Sequence, residues 1–140
     1  MTNSSMSISE FEYFVYGITD QYPEITVSTL VFKRLGRTIG ELSGEIKFTK
    51  DIKLKIFERI DFSDDMIEAY GYEVYRGENL LYWYDPQPHP NDPLLTSTFP
   101  HHKHIHPDIK HHRVPAPGLG FSITNLAFLI EEIITNFINS

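Results

Sequence analysis

A chain of 140 residues, 41% apolar and 22% charged, has the length and balance of one globular domain, 1–140, able to bury a core without covalent staples. That balance excludes low complexity and wholesale disorder, and the lack of cysteine excludes disulfides, thiolate metal sites, iron–sulfur clusters and a cysteine nucleophile. The net charge of −7 conceals a segregation: residues 89–113 carry three basic and two acidic side chains and all seven histidines, while the remainder carries nine basic against seventeen acidic. Histidine titrates between about pH 5 and 8. This window is therefore where the chain can turn strongly positive, and where its function is expected.

No stretch approaches the roughly 18 apolar residues of a membrane span. Met1-Thr2-Asn3-Ser4-Ser5 lacks the basic-then-apolar order of an export signal. The expectation is a cytoplasmic protein without membrane contact. Residues 1–8 are polar and expected to fray. Residues 9–22 predict a helix, with Ser9 three before Glu12 as in a capping box. Phe11, Phe14, Val15, Ile18 and Tyr22 make its apolar stripe, and Pro23 ends it.

Over 27–84 the period changes to two. Val27 to Phe32 is β-branched and apolar; Leu42, Ile46 and Phe48 alternate with charged residues, as do Ile52, Leu54 and Ile56. Tyr70, Tyr72 and Val74 share a face, and Leu80 to Tyr84 is a short aromatic strand. The connections near Gly36, Lys50, Asp64 and Gly77 are short and rich in turn residues, which requires antiparallel pairing. Residues 85–120 lose all periodicity and hold eight of the nine prolines, predicting a long His/Pro-rich functional loop. Residues 122–138 predict a closing helix, with Ser122 as N-cap and Leu126, Leu129, Ile130, Ile133 and Phe137 as its stripe. The expected fold is α+β: an antiparallel sheet of four or five strands flanked by an N-terminal and a C-terminal helix. The loop is expected to cover part of the sheet face opposite the closing helix.

The loop's centre, Thr98-Phe99-Pro100-His101-His102-Lys103-His104-Ile105-His106-Pro107-Asp108, admits three readings. It is a solvated polar loop, or a metal site, or an acid–base site. As a metal site, an extended segment would turn His102, His104 and His106 to one face for Zn or another divalent ion, with Asp85 or Asp108 as an oxygen partner. As an acid–base site, it would cleave RNA without metal. Histidines among His101, His102 and His104 would serve as base and acid, and Lys103 would stabilise the phosphorane. Asp85 would orient a histidine, His89 is a weaker candidate, and Tyr82, Trp83 and Tyr84 could stack bases or simply pack the sheet.

Gly44-Glu45-Ile46, Phe57-Glu58, Leu80-Leu81-Tyr82-Trp83-Tyr84-Asp85, Pro88-His89-Pro90 and the Thr98–His104 string together resemble the TumE family, over roughly residues 40–135. The resemblance implies a small cytoplasmic toxin of a prokaryotic toxin–antitoxin pair, whose partner is a helix-turn-helix-type DNA-binding antitoxin. The competing expectation is a non-catalytic or metal-binding module whose histidine loop captures a partner or a divalent metal.

Overall fold

The structure, a computed structural model, describes residues 6–86, 101–108, 113–116, 118–120 and 125–139. Helix α1 (Ile8–Tyr16) is capped by Ser7, two residues before the expected cap. The Ser7 hydroxyl accepts from the Glu10 N–H at 3.0 Å, and the Glu10 carboxylate accepts from the Ser7 N–H at 2.9 Å. Ser7 and Glu10 repeat the spacing of Ser9 and Glu12, and the earlier pair wins because it brings Ile8 into the helix. Gly17 interrupts, and α2 (Ile18–Gln21) adds one turn before Pro23.

Eight strands follow: β1 (Ile25–Ser28), β2 (Val31–Arg34), β3 (Ile39–Phe48), β4 (Ile52–Asp61), β5 (Met66–Arg76), β6 (Asn79–Asp85), β7 (His102–Ile105) and β8 (Arg113–Pro115). The chain closes with α3 (Asn125–Ile133) and a π-helical turn, Ile134–Ile138. The strands form one antiparallel sheet in the order β1-β3-β4-β5-β6-β7-β8, with β2 also paired to β3. An α+β fold with a sheet of four or five strands is thus incorrect; the described residues are mainly sheet, with few short helices.

The miscount has two causes. The apolar run from Val27 to Phe32 is two edge strands, because the ladder breaks at Thr29 and Leu30, where Leu30 turns into the core. Gly44 lets that segment approach closely: its φ is +133°, and a Cβ there would lie 2.5 Å from the Thr29 carbonyl oxygen. Secondly, the segment expected to be loop throughout contains β7 and β8. Their His, Lys, Arg and Pro residues carry no strand pattern, and it is pairing to β6 that extends them. Ser122 lies outside the described residues.

Helices α1 and α3 pack on one face. Phe11 of α1 meets Phe32 and Phe62 with ring centroids 5.4 and 5.6 Å apart, and Tyr22 beside α2 donates to Glu131 of α3 at 3.3 Å. Leu126, Leu129, Ile130 and Ile133 of α3 join Leu54, Ile56, Tyr72, Val74, Tyr82 and Tyr84 of the sheet in the buried core. The opposite face of β4–β6 presents Lys53, Lys55, Phe57, Arg59, Glu73 and Trp83, none of them buried.

Candidate active site

Strand alternation divides the histidine segment between the two faces. In the β6–β7 register Asp85 stands opposite His102, Tyr84 opposite Lys103 and Trp83 opposite His104. Asp85, His102, His104 and Trp83 therefore share the face opposite the described helices, while His101 and Lys103 belong to the helix-covered one.

On the first of these faces three polar groups converge. His102 Nε2 lies 2.8 Å from Asp85 Oδ1, His104 Nε2 lies 3.7 Å from Asp85 Oδ2, and the two Nε2 atoms are 3.0 Å apart. One ligand atom from each residue falls within 4.8 Å of the others. Both imidazoles are buried, at 1% and 3% exposure, although the strands beside them carry polar residues on this face. The Trp83 ring lies 4.1 Å from that of His104, which fixes one wall of the group. Arg113 of β8 stands opposite His104, bringing a guanidinium to the same face.

The other face engages the remaining candidates structurally. Lys103 Nζ lies 3.2 Å from Glu132 of α3 and 4.1 Å from the Tyr82 ring centroid. Glu132 also accepts from Tyr84 at 2.8 Å and Tyr82 at 3.2 Å. Burial, and then the Glu132 charge, raise both phenols far above their ordinary range. His101 Nδ1 shares a 2.6 Å hydrogen bond with Tyr70 Oη, and its ring stacks on that tyrosine. Burial, followed by the neighbouring His102, depresses the His101 pKa.

Next to Tyr70 lies a buried chain: Tyr72 donates to Glu58 at 2.5 Å and accepts from Asn125 at 3.1 Å. Burial lifts the Glu58 pKa to about 7, against the opposing effect of the Tyr72 hydrogen bond. His106 is exposed and sits 2.8 Å from the Leu80 carbonyl oxygen, apart from the converging group. The metal set expected from spacing, His102, His104 and His106, therefore does not assemble; Asp85 takes the third position. His89 lies outside the described residues.

Of the residues named from sequence, Asp85, His102 and His104 are brought together, and His101 and Lys103 are separated from them. Arg113 was missed, because only the pairing of β7 with β8 carries it across to His104.

A pair of imidazoles converges on a carboxylate here, on the sheet face opposite the described helices. The family model matching residues 16–137 describes a toxin, which puts the chain among the toxins of toxin–antitoxin systems and implies a cognate antitoxin. The chain belongs to the TumE family. The match spans all eight strands and the whole Asp85–His102–His104 group. Comparison with curated proteins and with solved structures finds no match. Among the described residues, no helix is long and apolar enough to cross a membrane.

Proposed function

We propose that this TumE-family toxin cleaves RNA without a metal, through the His102–His104 pair held by Asp85. The observation that carries this reading is the 3.0 Å approach of the two Nε2 atoms. Only one of them can hold a hydrogen along that line, so the pair presents one donor and one lone pair. These are the two states that cleavage at a ribose 2′-hydroxyl requires. The lone-pair nitrogen takes the 2′-hydroxyl proton as O2′ bonds to phosphorus. The P–O5′ bond breaks, and O5′ takes the proton of the other imidazole, leaving a 2′,3′-cyclic phosphate and a 5′-hydroxyl. Asp85 accepts from His102 Nε2–H, which makes His102 the donor of the pair and leaves the lone pair on His104 Nε2. Arg113 takes the charge-stabilising part first read into Lys103, since Lys103 is held by Glu132 on the other face. The toxin acts in the cytoplasm and is neutralised by a helix-turn-helix-type DNA-binding antitoxin, as the resemblance implies; a neighbouring reading frame for such a protein tests the pairing.

A second reading is favoured by the same convergence: three ligand atoms within 4.8 Å suit a divalent ion such as Zn. One experiment separates the two. Purified protein is incubated with RNA in EDTA beside its His102→Ala variant. Cleavage by the wild type alone, ending in cyclic phosphate, is expected. Cleavage abolished by EDTA and restored by a divalent ion replaces the acid–base reading with the metal one; equal cleavage by His102→Ala removes the site assignment.

A further inference from the structure

Gly71 sits in the middle of β5, a strand with neighbours on both sides, where glycine weakens the strand and has no side chain to pack. No backbone need explains it: among the described glycines the positive φ values belong to Gly44 and Gly77. Cross-strand from it stands Phe57, 40% exposed on a strand whose same-face neighbours Lys55 and Arg59 are charged. An aromatic ring beside a strand glycine commonly folds over it and covers it. Here it does not, because a Cβ built on Gly71 would meet nothing within 4 Å. The result is a hollow of about 140 Å³ lined by Lys55, Ile56, Phe57, Gly71 and Glu73, with an aromatic ring on one side and open floor beneath.

The hollow is aligned with the His–His–Asp group. Glu73 pairs with Trp83, so Gly71, two residues earlier on β5, falls level with Asp85, two residues later on β6. Asp85 in turn pairs with His102. Phe57, Gly71, Asp85 and His102 thus form one row across four strands, and Lys55, Glu73, Trp83 and His104 form the next. With strands about 4.8 Å apart, Gly71 lies roughly 10 Å from His102, on the scale of one nucleotide.

Resting on the ribonuclease reading, we infer that this hollow seats a nucleobase of the RNA adjoining the scissile phosphate. The base stacks on Phe57, the missing side chain at Gly71 leaves room for it, and Lys55 and Glu73 face its polar edge. Aromatic stacking of an unpaired base is the usual means by which proteins hold single-stranded RNA.

Gly71→Val tests the seat. Valine suits a strand, and its Cβ has nothing to strike, so the variant is expected to fold with an unchanged or higher Tm. It should raise KM for RNA about tenfold or more while leaving the pH profile of cleavage unaltered; Phe57→Ala should move KM the same way and Phe57→Tyr should restore it. Trp83, the chain's only tryptophan, gives a second readout: its emission should respond to an all-deoxy oligonucleotide, which lacks the attacking hydroxyl, in the wild type and far less in Gly71→Val. If the wild type cleaves RNA and Gly71→Val matches it in KM and in the Trp83 response, the seat is wrong and the ribonuclease reading stands. If Gly71→Val cleaves normally but escapes the cognate antitoxin, the hollow belongs to the antitoxin and the seat is again overturned. A wild type that neither cleaves RNA nor changes Trp83 emission fails at the earlier step and takes the seat with it.

Discussion

The two faces of the sheet arrange similar residue types in different ways. On the helix-covered face, Glu58, Glu132, Lys103 and His101 each meet a tyrosine or an oppositely charged partner, and the apolar side chains of α3 close over them. There the polar groups answer one another, and their task is to be buried without loss. On the other face, Asp85, His102 and His104 turn their titratable atoms toward one point, beside an aromatic ring and a glycine that leaves space. Four consecutive residues, His101 to His104, supply both faces in turn. Chemical type alone does not say which of these histidines converge with Asp85; the face each one occupies does.

The largest contrast should appear in cleavage. His104→Ala is expected to lower the RNA cleavage rate by about 10²–10⁴, the range for loss of a general acid or base, whereas Lys103→Ala should stay within about tenfold of wild type. Initial rates at saturating RNA check this, and a Lys103→Ala loss as large as that of His104→Ala would erase the distinction between faces. Packing should show the reverse asymmetry. Leu129→Ala on α3, whose side chain is 1% exposed, should cost about 2–5 kcal/mol in denaturant unfolding, while Phe57→Ala, on the opposite face, should cost about 1 kcal/mol or less.

Glu58 gives the helix-covered face a pH signature. Its folded pKa, about 7, lies above the ordinary carboxyl value of 4.5, so the native state binds this proton more tightly than the unfolded chain does. Stability from this group is complete below pH 4.5 and falls as pH rises toward 7, by about 3 kcal/mol at most. Glu58→Gln keeps an acceptor for Tyr72 and removes the titration. Its stability relative to wild type should therefore climb between pH 4.5 and 7 and level off above, as urea unfolding across that range would show. The smallest effect belongs to the N-terminal cap: Ser7→Ala should cost about 1 kcal/mol, with Ser9→Ala nearly neutral, and a reversal in thermal unfolding would put the helix start back at Ser9.

The hairpins from β3 to β6 were legible because Ile46 and Phe48, Leu54 and Ile56, and Tyr72 and Val74 alternate with polar residues between turns rich in Gly, Asp and Asn. β7 and β8 were not. A strand written His-Lys-His-Ile has no apolar face to reveal it, and it exists through its register with Trp83, Tyr84 and Asp85. The same blindness governed the site. Asp85, His102 and His104 were identifiable as reactive residue types, but their separation from Lys103 and His101 is a property of strand parity. Arg113, Phe57 and Gly71 joined them only through cross-strand pairs between residues far apart in the chain.

A double-mutant cycle on the RNA cleavage rate tests the division of faces most directly, using His102→Ala, His104→Ala, Lys103→Ala and the two pairs that include His102. Residues that act as one unit are strongly non-additive, so adding His104→Ala to His102→Ala should cost little beyond the single change, while Lys103→Ala should add its own modest effect in full. Additive losses for His102 and His104, together with strong coupling between His102 and Lys103, would contradict the two-faced arrangement and return Lys103 to the reacting group.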